Sequence, residues 1–244
     1  MKKVALLFAA LYCLQCTAMG QNGRIVFERK VNAWALMRAM ADQQAFPQER
    51  FEAYKNGNPE YKTARFILQF NEACSYFYAD SAAPEVSIDE WFAMVGAKLV
   101  YTDLAHHWQM LQARVFDSSF AVADKPWGFL WETSGAQRMI AGYHCRRATT
   151  LLQDSIPVVA WYTTALPLPV GPGIFQGLPG AILAIELPTL LTTWQATAVL
   201  HGPQHIDVPL AKAPVSYATL REVVYRMTRS WATAGALVLQ RALL

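Results

Sequence analysis

The chain has 244 residues, 54% hydrophobic, 12% aromatic and 16% charged, with a formal net charge of +3. That near-neutral balance, with no Lys or Arg block outside GYHCRRA, excludes the electrostatic footprint of a nucleic-acid-binding domain. A length and apolar content of this order supply one sizeable core and point to a single domain.

Residues 1–20 read MKKVALLFAALYCLQCTAMG: two lysines, a short apolar run, then small residues at Ala18 and Gly20 before a cut ahead of Gln21. This is the pattern of a secretory signal peptide. Its apolar run is shorter than the roughly 20 residues a spanning helix needs, and no later run reaches that length. Residues 21–244 are therefore expected as one exported domain that is not transmembrane, and the loss of Lys2 and Lys3 lowers the net charge from +3 to +1. Cys13 and Cys16 form CLQC within the removed segment and carry no redox role in the mature protein. Cys74 and Cys145 remain, in an oxidising compartment, either as one disulfide or as two separate buried thiols.

In chain order, GRIVFERK (residues 23–30) sets Ile25 and Phe27 against Arg24, Val26 and Glu28 and reads as a first strand. Trp34, Leu36, Met37 and Met40 then recur at helical spacing, predicting helix over 32–55 with a break near Pro47, and KNGNPEY is a turn cluster. Beyond it the pattern changes to short runs rich in Val, Ile, Tyr, Phe and Trp: TARFILQF, CSYFYAD, KLVYTDL, HWQMLQARVF, FAVADK, RMIAGYHCRRATTL, VVAWYTTALP, AILAIEL and TTWQATAVL. Short connections between such runs favour an antiparallel arrangement. Residues 217–231 gather Leu220, Val223, Val224, Met227 and Trp231 on one face and predict an amphipathic helix packed on the sheet; the tail after it, broken by Gln240 and Arg241, is too short for a membrane anchor. The expected fold is mainly β (α+β): a curved antiparallel sheet or half-barrel meander with an N-terminal helical segment and a C-terminal amphipathic helix.

No familiar catalytic constellation meets its physical requirements. There is no G-x-S-x-G, and GPGIFQGLPGAI (residues 171–182) lacks the Lys and following helix that a phosphate loop needs, running instead into the strand AILAIEL. Pro172-Gly173 and Pro179-Gly180 suit the central positions of type II turns, where proline presets φ and glycine accepts φ > 0. His106 and His107 are adjacent and would face apart on a strand, as would His144 and Cys145. His201 and His205 span Gly202-Pro203, which bars a regular helix, so no metal site is expected. Glu132 beside Trp131 and Glu186 after an apolar run are possible perturbed acids, Asp103 and Asp154 strand-end or turn acids, and Arg146 and Arg147 possible anion ligands at a strand end.

GYHCRRATT followed by VAWYTTALPLPVGPGIFQGLPGAILAIE resembles the signature of the GLPGLI family of exported bacterial envelope proteins. Here the motif reads GLPGAI, with Ala181 in place of Leu, and the resemblance is strongest from Trp131 to Glu186. Similar proteins carry an acid shortly before the basic residue that precedes the GY strand, whereas this chain has Ala136 two places before Arg138. The resemblance implies an exported, mainly antiparallel β protein of the periplasm or surface of a Gram-negative bacterium. It supplies no catalytic residue, cofactor or metal. Trp161, Tyr162, Gly171, Pro172, Gly173, Gly177, Leu178, Pro179 and Gly180 match its motif and, with Phe175, form the candidate contact surface.

Two functions follow as expectations. One is a non-enzymatic binding module whose aromatic-rich sheet holds an apolar ligand or an envelope protein. The other is a structural or assembly accessory of outer-membrane machinery that docks through the Pro-Gly loop. An envelope hydrolase ranks below both. Whether Tyr162, Trp161 and Phe175 line a cavity or fill a core decides between binding and folding roles for the motif.

Overall fold

The computed structural model describes residues 22–42, 47–80, 95–211, 213–242 and 244. The segment expected to be a signal peptide lies outside the described residues. The first strand, β1 (Gly23–Asn32), leads into helices α1 (Ala33–Asp42) and α2 (Gln48–Gly57). There follow β2 (Tyr61–Phe70), β3 (Cys74–Ala79), β4 (Val95–Asp103), β5 (Trp108–Val115) and β6 (Ser118–Asp124). The second half comprises β7 (Glu132–Ile140), β8 (Tyr143–Leu152), β9 (Ile156–Thr163), β10 (Ala181–Leu187) and β11 (Thr192–His201). Helices α3 (Tyr217–Thr228) and α4 (Ala232–Arg241) close the described chain.

The strands form one 11-stranded sheet in the order β6-β5-β4-β3-β2-β1-β11-β10-β9-β8-β7, every neighbouring pair antiparallel. The chain therefore runs outward from β1 to one edge, crosses to the other and returns as a second meander to β1's free side. The expected mainly β, antiparallel fold is the one observed, and the sheet is open, because β6 and β7 do not pair. Phe27 sits opposite Phe66 on one side and Ala196 on the other, which puts the apolar set of β1 on the same face as those of β2 and β11.

That inner face carries a core running from Val122 on β6 to Ile140 on β7, with Phe27, Phe66, Leu68, Phe77, Leu111, Tyr162 and Ile185 between. Helix α3 adds Leu220 and Val224. A second, smaller cluster packs Leu36, Met37 and Ala41 of α1 and Phe51 and Tyr54 of α2 beneath Val31. The two edges are managed differently. On β6 the main chain of Val215 makes a parallel bridge, accepting from Ala123 N at 3.0 Å and donating to Ala121 O at 2.9 Å. On β7 the register slips between Thr133 and Gln137, so several β7 residues bulge against a shorter stretch of β8 and spoil a flat edge.

Three sequence expectations need correction. RMIAGYHCRRATTL is a hairpin, turning at Ala141 (φ 47°) and Gly142 (φ 85°), the two positive φ values of a type I′ connection. The helix expected over 217–231 ends at Thr228; the chain then makes a single 3₁₀ turn at Arg229–Trp231 and a further helix, α4. Met227 and Trp231, expected on the packed face, are exposed, and the buried stripe of α3 is Leu220, Val224 and Thr228.

Candidate functional site

The Pro-Gly loop is an internal plug. Leu166, Val170, Ile174, Phe175 and Leu178 all lie in the main core, and Leu178 is 2% exposed. The loop crosses the inner face and is pinned there: Ala181 N donates to Leu166 O at 2.9 Å, Ile182 N to Val170 O at 2.8 Å, and the Trp131 indole Nε1 to Gln176 O at 2.8 Å. Phe129 stacks on Phe175 at 5.4 Å, so the crossover from β6 to β7 covers the plug. Pro172 O accepts from Phe175 N at 3.2 Å in a turn where Gly173 has φ +61°. Gly180, by contrast, is outside the left-handed region; the positive φ of the second turn falls on Gly177 (+92°). What Gly180 supplies is room, because a Cβ there would overlap Thr163 O, and Gly171 likewise lies against Phe175 O.

The candidate contact residues thus divide. Tyr162, Phe175 and Leu178 fill the core, and only Trp161, among the aromatic ones, stands on the opposite, outer face of the sheet. There the Trp161 indole Nε1 donates to Glu186 Oε1 at 3.0 Å, and Arg138 Nη1 donates to the same oxygen at 2.9 Å. The Arg138 guanidinium lies 4.3 Å from the Trp161 ring centroid, a cation–π contact that fixes all three groups. Glu186, read from sequence as a possible acid, is an ion-paired carboxylate, and at about one-third exposure the pair contributes on the order of 1 kcal/mol. A separation of 48 residues between Arg138 and Glu186 left no local signal for the pairing.

Arg147 faces Trp161 across β8 and β9, and from it a cleft of about 630 Å³ extends round the end of the sheet. Its walls are Trp127 and Leu130 from the crossover, Thr149 and Leu151 of β8, Pro157 and Val159 of β9, and Arg221 of α3. Leu130 is 88% exposed and Leu151 53%. The last pairing of β7 with β8 is Glu132 with Thr149, so β8 runs on through Thr150, Leu151 and Leu152 without β7 beside it. Sequence reasoning missed this cleft; a run such as PWGFLW, apolar yet outside any strand, was its one available signal.

The remaining candidates are dispersed. Cys74 and Cys145 are free, buried thiols on β3 and β8, with five strands between them in the sheet, so the separate-thiol alternative holds and there is no bridge. Burial pushes the Cys145 thiol up to about 11. His106 sits in the β4–β5 turn against Asp103 at 2.9 Å; the His106 backbone and ring bonds hold that carboxyl below its usual range. His201 meets the Tyr143 hydroxyl at 2.8 Å while His205 meets Asp207 at 3.1 Å, so the two histidines serve different partners. Among the described residues no group of three or more His, Cys, Asp or Glu is placed to hold a metal ion.

An open antiparallel β domain, plugged by its own Pro-Gly loop and bearing a cleft at one sheet edge, is the class of protein these features define. Residues 150–184, from within β8 through the plug to β10, match the family model described as "Protein of unknown function (Porph_ging)". This is the GLPGLI family of exported Bacteroidetes proteins, and the chain carries its signature over that segment. Among solved structures, two of PNGF-II are similar in fold, at 13% identity each. One has a TM-score of 0.53, covering 84% of this chain and 33% of that one; the other has 0.50, covering 77% and 28%. The chain thus spans about a third of the length of PNGF-II. No curated protein matches. No helix among the described residues is long and apolar enough to cross a membrane.

Proposed function

We propose that this domain is a non-enzymatic binding module of the cell envelope whose working surface is the cleft at the free end of β8, occupied by an extended segment of an envelope partner. The observation that carries this reading is the cleft of about 630 Å³, flanked by the exposed Leu130 and Leu151. An extended chain suits it because Thr150–Leu152 continue past β7 and offer main-chain groups for strand addition. Trp127, Leu130, Leu151 and Pro157 supply apolar seats for alternate side chains. Arg147 and Arg221 on one hand, Glu132 and Asp154 on the other, give the cleft mixed charge that sets the direction of the incoming strand. An apolar ligand on the inner face is less well supported, since Ile174, Phe175 and Leu178 already occupy that face. Docking through the tip of the Pro-Gly loop is likewise disfavoured by their burial.

The test is a photo-crosslinking residue introduced at position 151 in the producing cell. It yields a discrete protein adduct that Leu130→Asp abolishes, while the same probe at position 200, exposed on β11, gives none. An adduct indifferent to Leu130→Asp, or no adduct from position 151, refutes the reading.

A further inference from the structure

The inner face, apolar almost throughout, holds two arginines that no described acid pairs with. On β1, Ile25, Phe27, Arg29 and Val31 share the inward face, so Arg29 stands half-buried on that side, opposite Trp194 of β11 and Ala64 of β2. Its guanidinium lies 5.1 Å from the Phe66 ring centroid. Arg241 arrives from α4 and is 3% exposed. Its Nη1 donates to Leu190 O at 3.0 Å and its Nη2 to Thr192 Oγ1 at 3.2 Å, while its Nε is buried without a hydrogen-bond partner. Thr192, which Arg241 bonds, is cross-strand to Val31, one inward position from Arg29, so the two arginines serve neighbouring positions of one face and the charge of Arg29 acts on Arg241. No described carboxylate forms a salt bridge with either.

Burial lowers Arg29 to about 10, and burial together with Arg29's charge lowers Arg241 to about 9, so both stay cationic at neutral pH. Two like charges, Arg241 buried and Arg29 half-buried, with no described counter-charge are unfavourable, and a guanidinium presents its donors in a fork that matches an oxyanion. The alternative, that the pair is merely structural, accounts for the two bonds of Arg241 to Leu190 and Thr192 but leaves Arg29 and the Arg241 Nε unexplained.

We infer that Arg29 and Arg241 form an interior site for a small oxyanion, a carboxylate or phosphate group, held between the two guanidinium groups at the junction of β1, β11 and α4. The site is independent of the cleft at β8. Its ligand is a free anion or the headgroup of an acyl chain, and the experiment separates these sources.

Thermal unfolding of the purified protein is followed at fixed ionic strength in chloride, in inorganic phosphate, in octanoate and in octanol. At a concentration about a hundredfold above Kd, the bound anion raises Tm by about 5 °C. A response to phosphate identifies the free anion; a response to octanoate alone, with none to phosphate or octanol, identifies an acyl headgroup. Arg29→Gln removes one repelling charge without touching the Arg241 bonds, so this variant folds, is at least as stable as the parent in chloride, and loses the response. No shift with phosphate or octanoate in the parent overturns the inference, as does a shift that Arg29→Gln retains.

Discussion

Gly180 lies against the carbonyl of Thr163, at the point where the plug hands the chain back to β10. A single methyl group there has no space, and the neighbour it meets is backbone that cannot swing aside. Gly180→Ala is expected to cost about 3 kcal/mol in urea unfolding, the upper range for overpacking a filled site. Gly173→Ala, where the Cβ meets nothing and only the positive φ is at stake, should cost about 1 kcal/mol. Equal losses at the two positions would mean that the loop glycines share one role. The sequence shows the need for glycine in GPGIFQGLPG; it does not separate a glycine wanted for φ from one wanted for proximity, because proximity involves Thr163, which belongs to a different strand.

At the scale of elements, strand patterning was legible as alternation where one face is core, as in GRIVFERK, and as a continuous apolar run where both faces are buried, as in AILAIEL. It failed at the β7–β8 turn, because Ala141-Gly142 is an unusual occupant of two positive-φ positions, and because β7 is exposed along most of its length and shows no alternation. It failed again at α4, where Arg241 looked like a polar interruption and is instead a buried side chain bonded to Leu190 and Thr192. The start of α3 was better signposted: Ser216 Oγ accepts from Thr219 N at 3.1 Å and caps the helix. Ser216→Ala should therefore destabilise the domain by about 1 kcal/mol, read as a shifted denaturant midpoint at constant slope. Tyr217, next in line, donates to Gln109 Oε1 at 2.6 Å, and Gln109 in turn donates to Thr102, so the cap also sets where α3 meets β4 and β5.

For the whole molecule, the sheet order makes the two meanders unequal partners in one core. The first, β1–β6, exposes an inner face that the second meander and its plug must cover: Leu166, Val170, Ile174, Phe175 and Leu178 all come from the later half. A fragment of residues 22–124 should lack a cooperative unfolding transition by circular dichroism and calorimetry, and addition of residues 125–244 in trans should restore one. A cooperative transition in the first fragment alone would show that the halves are separate folding units. The pairing of β1 with β11 has a further consequence, in time. Thr197 Oγ1 donates to Val26 O across 171 positions, so the first strand made is among the last to be completed on both sides. A chain that emerges from its N-terminal side keeps β1 half-paired until β11 follows, so the order of the strands itself delays completion of the sheet.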